Sequence, residues 1–394
     1  MKKNLFYYLF AVICTIGLFT SCSDDDEKVL CPIGETTFTD SKGLQLTYSG
    51  EMMLGKSVIF TPNSSDATKA TLTLTGNREL AMIDTRETHV PPISGVIPGQ
   101  STTTLNIENM IIDGNKVIFE GVEESNGCII KYKGDAISGE MNLALEVTMP
   151  SNPLANTSWN MAPTGSMWEG DPMAPIHVKW DADEFPFGNG TWDINSAITM
   201  IFSMAQIEGK HIPELLSGVL NKVTFLPDGN IQAEYKDALT DTEWKTSGLN
   251  IAMYTVKDGQ VFLFLNFAQI LATVNERAND SMNDIVASLL PQLLQMVNRG
   301  IPLSYIVGED GKMTVYLGTE VLLPILKTVA PLFENEEFVA RLLDILKEQA
   351  GGMAVLIESF LKPILVAMPH SFYYKRYPDW IKISSGREIM SFSK

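Results

Sequence analysis

Three Asp-Gly pairs, Asp228-Gly229, Asp258-Gly259 and Asp310-Gly311, each stand between two runs of alternating apolar and polar residues. A two-residue hairpin loop that matches strand twist needs positive φ, which Gly adopts freely and Asp tolerates. The flanking runs KVTFLPDGNIQAEYK, LNIAMYTVKDGQVFLFLN and LSYIVGEDGKMTVYL therefore predict three hairpins. Three turns of the same chemistry predict an antiparallel β meander.

Helical periodicity is predicted between and after these hairpins. Met282 to Asn298 is the clearest case, with Ser281 and Asp284 spaced as a capping box and apolar residues at Ile285, Val286, Leu289, Leu290, Leu293, Leu294 and Val297. Gly300 and Pro302 form its stop signal. Further helices are expected at Glu320 to Phe333, Glu336 to Gln349 and Met353 to Ala367, the last kinked at Pro363, and over Ile194 to Asn221 with breaks at Gly209 and Pro213. Residues 151–394 thus read as an α+β domain, an antiparallel β meander with several amphipathic helices.

Residues 43–150 read differently, as short alternating runs such as KATLTLTG, NKVIFEGV, GCIIKYKG and MNLALEVTM, punctuated by Gly, Asn and the pair Asp113-Gly114. No helix-period segment interrupts them, so the expectation is an all-β antiparallel sandwich or open barrel. The segment MPSNPLANTSW marks the boundary, and the chain as a whole classes as α+β. The second domain opens on a loop region, to about Asp193, that holds Trp159, Trp168, Trp180 and Trp192. Trp159 and Trp180 have strand-like flanks that favour core packing. Trp168, Trp180 and Trp192 are the candidates for stacking on a ligand.

The N-terminus has a separate logic. Lys2 and Lys3 precede an apolar stretch from Leu5 to Phe19 and the small pair Thr20-Ser21, the pattern of a secretory signal peptide too short to span a bilayer. Cys22 stands where cleavage is expected, and residues 1–21 followed by Cys22 resemble the lipobox of bacterial lipoproteins, with Phe19 in place of the usual Leu. That resemblance implies that Cys22 is acylated, palmitate being the kind of chain added, and becomes the new N-terminus. The residues that follow, Ser23, Asp24, Asp25, Asp26 and Glu27, resemble the acidic export signal of Bacteroidota lipoproteins. It implies an outer-membrane protein facing the cell exterior, with residues 22–42 as an acylated acidic tether.

Composition narrows the partners. The formal charge of -18 becomes -20 once residues 1–21, with two lysines and no acid, are removed. A chain this acidic has no basic stripe for phosphates, so nucleic acid is not expected as a partner, and the acyl chains hold the protein to the membrane without help from charge. After acylation of Cys22, Cys31 and Cys128 remain, as one disulfide or as two free thiols.

Catalytic patterns are absent from the sequence. There is no G-x-S-x-G, no H-E-x-x-H, no P-loop and no Gly-rich dinucleotide turn, and His89, His177, His211 and His370 are scattered. DADEFPFGNGTWD lacks the EF-hand spacing. The expectation is a non-enzymatic binding protein with no metal and no cofactor. Apolar stretches such as SLLPQLLQMVNRGIPLSYIVG and VLLPILKTVAPLF favour a hydrophobic or lipid-like ligand, and nineteen methionines would help such a pocket adapt. The passage into NRGIPLSY is similar to the helix-to-strand passage of the bactericidal permeability-increasing and lipopolysaccharide-binding proteins. The alternative is a glycan or partner protein held by the Trp-rich loop. As a whole, the lipobox, the acid run, the β half and the Asp-Gly hairpins resemble uncharacterised lipoproteins of gut Bacteroidota, some with lipocalin-like domains, a likeness that implies location and broad fold but no activity.

Overall fold

The structure is a computed structural model that describes residues 30–77, 94–165, 210–274 and 299–318 (except 310), with short pieces at 174–177, 185–187, 190–193, 195–196, 199, 206–207, 336, 339–340, 344 and 390–393. Ten strands come first: β1 (Thr36–Thr39), β2 (Leu44–Tyr48), β3 (Glu51–Met52), β4 (Lys56–Pro62), β5 (Ala70–Gly76), β6 (Thr102–Ile107), β7 (Ile111–Asp113), β8 (Lys116–Ser125), β9 (Cys128–Ile137) and β10 (Glu140–Thr148). They make a four-stranded sheet in the order β1-β4-β5-β6 and a six-stranded sheet in the order β3-β2-β10-β9-β8-β7. Strict alternation places one side of each strand inward, as in β5, where Ala70, Leu72, Leu74 and Gly76 are buried and the threonines between them are half-buried. Phe38, Phe60, Leu72 and Leu105 from the first sheet share one buried cluster with Leu46, Val117, Ile130 and Leu143 from the second. The pairing departs from an all-antiparallel expectation at one place. β10 runs parallel to β2, because the chain enters the six-stranded sheet beside the strand that later leaves it.

The remaining strands form a barrel. β11 (Thr157–Met161) is followed by two small hairpins, β12 (Phe185–Phe187) with β13 (Gly190–Trp192) and β14 (Gln206–Ile207) with β15 (Lys210–His211). Helix α1 (Ile212–Val219) leads into β16 (Leu220–Phe225), β17 (Asn230–Tyr235), the short β18 (Lys245–Thr246), β19 (Ala252–Lys257) and β20 (Gln260–Leu265). Helix α2 (Phe267–Val274) follows, then β21 (Ile301–Val307), β22 (Lys312–Tyr316) and β23 (Met390–Ser393). Each major strand pairs antiparallel with its predecessor, β23 pairs back to β11, and β11 pairs with β16, so that eight strands close in sequence order.

This architecture corrects the α+β expectation. The chain is mostly β, and among the described residues the α-helices with defined ends are α1 and α2, of eight residues each. Several amphipathic helices are not supported, although the stretches expected at 282–298, 320–333 and 353–367 lie outside the described residues. Of the helix expected at 336–349, residues 336, 339, 340 and 344 have helical backbone, with Val339 buried. The helix expected to run to Asn221 stops at Val219, where β16 begins. The apolar runs of the barrel hairpins belong to strands with two covered faces. In QVFLFL of β20, Val261 packs inside the barrel while Phe262 and Phe264 pack outward against the sandwich core. Met253, directly opposite Phe264 on β19, joins the same outer contact. A strand covered on both faces reads as a continuous apolar run.

Polar bonds rim this seam. Tyr48 Oη donates to Asp228 O at 2.5 Å, Ser49 Oγ donates to Asp228 Oδ2 at 2.5 Å, and the Met149 amide donates to Pro227 O at 3.0 Å. Asn250 Nδ2 reaches the carbonyls of Tyr48, Glu51 and Met52 at 3.0–3.2 Å, and Asn266 Nδ2 donates to Leu54 O at 3.0 Å. Gly229 closes the first barrel hairpin with φ +86° where a Cβ would stand 3.1 Å from Met149, Pro98 and the Tyr254 carbonyl. Both the turn and the close approach require glycine there.

Lys56 is buried in the sandwich, its Nζ donating to the carbonyls of Ser94 at 3.1 Å and Gly95 at 2.8 Å. Burial pushes its ammonium down to about 8, with Asp40 opposing. A lysine lowered on folding binds fewer protons in the native than in the unfolded state between that value and its ordinary one, so its cost is full below about pH 8 and relieved as pH rises. Thermal melts of Lys56→Met are expected to lose the part of the rise in stability between pH 8 and pH 10 that the parent owes to this group. Parallel pH profiles for the two chains would overturn the assignment.

Candidate functional site

The barrel interior is the strongest site candidate, because strand pairing assigns its lining without ambiguity. Residues directly opposite each other lie on one face. Trp159 faces Val223, Phe225 faces Ile231, Val256 faces Val261, Val261 faces Leu303 and Tyr305 faces Val315. All belong to one apolar cluster, with Leu154, Met161, Tyr254 and Met313.

The barrel's two ends differ. The turns at 226–229, 258–259 and 308–311 all lie at one end, while the connections 162–219, 236–251, 266–300 and 317–389 all leave from the other. The short-turn end is plugged by Trp159, Phe225, Tyr254, Val261 and Met313, all buried. The Phe225 and Tyr254 rings meet edge to face, 4.9 Å between centroids at 82°. Trp159 Nε1 donates to Thr157 Oγ1 at 2.8 Å and Tyr254 Oη donates to Leu226 O at 3.0 Å, so the plug buries its polar atoms paired. Burial, opposed by a hydrogen bond to Asn152 and reinforced by Asp228, pushes the Tyr254 hydroxyl up to about 12. Lining residues beyond the plug, among them Met161, Val223, Leu303, Tyr305 and Val315, are half-buried.

Among the described residues, α1 and the 236–246 loop stand at the long-connection end. The His211 amide donates to Glu214 Oε2 at 2.9 Å, Pro213 follows the helix start, and the Lys236 amide donates to Val219 O at 2.9 Å. Lys236 Nζ lies 4.6 Å from the ring centre of Trp244, which is exposed. Lys245 pairs with Asp237 beside it.

The residues singled out from sequence are not gathered here. Cys22, Ser23, Asp24, Asp25, Asp26, Glu27, Trp168 and Trp180 lie outside the described residues. Trp192 ends β13 with its Cα opposite that of Phe185. Trp159 is a core residue of the plug. Cys31 and Cys128 are both free thiols; Cys128 is buried beside Met149 Sδ at 3.7 Å, and burial raises its thiol against a hydrogen bond from Gln100. Among the described residues no three His, Cys, Asp or Glu side chains cluster so as to hold a metal. None of the helices among the described residues is long and apolar enough to cross a membrane.

Sequence reasoning missed Trp244 and Lys236 at the long-connection end because Trp244 lies outside the periodic runs and Lys236 only closes the run KVTFLPDGNIQAEYK, where alternation says nothing of a loop partner. It also missed the outer surface of the six-stranded sheet, whose signal was the polar half of the alternation in β8, β9 and β10. No family model, curated protein or solved structure matches the chain.

Proposed function

We propose that this chain is a non-enzymatic binding lipoprotein, anchored to the outer membrane through acylated Cys22 and facing the cell exterior, whose barrel takes a hydrophobic or lipid-like ligand. The observation that carries the ligand class is the continuous apolar inner face, closed by paired aromatic residues at the short-turn end and served by every long connection at the other. Desolvating an apolar chain against such a wall is favourable at about 25 cal/mol per Å². Burying a charge against an apolar wall is costly, so a charged head group is held at the rim, where Lys236 and Lys245 stand. The alternative, a glycan or partner held by the Trp-rich loop, draws on Trp168, Trp180 and Trp192.

Native mass spectrometry with organic extraction tests this on the chain starting at Ser23, purified from its own envelope and from a heterologous host. The expected result is a co-purifying apolar molecule that is depleted in Ala233→Trp, a substitution directly opposite Val223 on the inner face. An empty protein from both sources would reject the hydrophobic ligand.

A further inference from the structure

The outer face of the six-stranded sheet is a trench of about 850 Å³, within the range of ligand clefts. Pairing lays its lining out in two rungs across the strands. One runs Gln45, Asn142, Asp135, Ile118 and Ile111 across β2, β10, β9, β8 and β7. The other runs Thr47, Ala144, Lys133 and Glu120 across the first four of these strands, with Met52 opposite Thr47. At a strand spacing of about 4.8 Å the longer rung spans roughly 19 Å. Ala144 sits mid-rung between longer side chains and makes the floor.

The chemistry of this lining is mixed in a specific way. Asp135 is fixed by Asn142 Nδ2 at 3.1 Å and by Lys116 at 3.1 Å. Gln45, Lys133 and Glu120 make no side-chain hydrogen bond or ion pair with one another or with any other described residue, so donors and acceptors alike stand free in the trench. Along one wall Ile111 is 65% exposed and Ile118 38%, and Met52 closes the other wall at 41%. A polyanion finds no excess positive charge, since Lys133 is matched by Glu120 and Asp135. A lipid would strip water from the polar floor without replacing its bonds. A peptide adding to the sheet would use a strand edge, not this face. Hydroxyl groups that both donate and accept, on rings whose C–H faces are apolar, match both the floor and the walls.

We infer that this trench binds a neutral oligosaccharide, at a site separate from the barrel. Ring hydroxyls bond to Gln45, Asn142, Lys133 and Glu120, and ring faces rest on Ile118 and Ile111.

Affinity electrophoresis of the chain starting at Ser23, in gels cast with xyloglucan, mixed-linkage β-glucan, arabinoxylan, galactomannan, amylopectin or mucin, tests it, with polygalacturonate as an anionic control. At least one neutral polymer is expected to retard the protein. Ala144→Trp, which fills the floor, and the double change Lys133→Ala with Asn142→Ala are each expected to weaken that association about tenfold or more. Ala233→Trp in the barrel is expected to leave it unchanged. Should Ala144→Trp melt early, Gln45→Ala with Glu120→Ala provides the same readout from the trench's free polar groups. Retardation by none of the neutral polymers, retardation by polygalacturonate alone, or retardation that survives the trench variants would each overturn the site.

Discussion

Asn250→Asp is expected to cost roughly 3–4 kcal/mol of stability at neutral pH. Asn250 is fully buried, and its Nδ2 serves three carbonyls of this seam, those of Tyr48, Glu51 and Met52. Its own amide donates to Asn230 Oδ1 at 2.7 Å, and its backbone sits at φ +62°. A carboxylate in its place turns an oxygen toward three oxygens. The introduced acid is held protonated, so its pKa lies above the unfolded value and the penalty fades as pH falls toward about 4. Asn250→Gly keeps the backbone conformation and loses only the amide. Asn250→Ala loses the amide and adds the strain of a left-handed alanine. Urea unfolding followed by circular dichroism should therefore rank the losses as Gly, Ala, Asp in increasing order, and an Asp variant within about 1 kcal/mol of the parent would reject the seam as described.

Cys22→Ala is expected to abolish incorporation of labelled palmitate, and a chain carrying an ordinary secretory leader in place of residues 1–22 is expected to leave the membrane pellet for the soluble fraction. The size of the effect follows from the acyl chains. At about 0.8 kcal/mol per buried methylene, two or three chains hold a protein on a bilayer essentially without release. The acids at 24–27 add no attraction to an anionic surface. Continued pelleting of the leader-swapped chain after a carbonate wash would show that some other part of the molecule holds the membrane.

The hairpins were readable in the sequence because turn chemistry is local. Asp228-Gly229 and Asp258-Gly259 join the strand pairs that the alternation marked, and Gly311 closes a third turn with φ +75°. Barrel closure was not readable. The contact of β23 with β11 joins residues from opposite ends of the second domain, and nothing in SFS or TSWNM specifies its partner. The helical expectation rested on stretches that lie largely outside the described residues; where its end can be compared, the helix stops at Val219 because β16 begins there. The second apolar face of the hairpin strand QVFLFL was not readable because Phe262 and Phe264 meet a core formed far away in the chain. Trp159 shows the same limit from the other side: its strand-like flanks placed it in a core, but whether that core was a sheet-on-sheet layer or the plug of a barrel depended on residues far along the chain. The trench is a face of side chains from β2 and from β7 to β10, and its residues become neighbours only through strand register.

β19 and β20 serve two cores at once, with Tyr254 and Val261 turned into the barrel and Met253 and Phe264 into the sandwich. A wall held in common leaves each compartment no private freedom to swell. Anything that spreads these strands from the barrel side presses on the sandwich, and a substitution that loosens Phe60 or Leu145, members of the core that Met253 and Phe264 join, slackens the barrel wall. Grafting the barrel onto another scaffold therefore means supplying a new neighbour for Met253 and Phe264, since the piece cut out alone would carry half of someone else's interior on its outside.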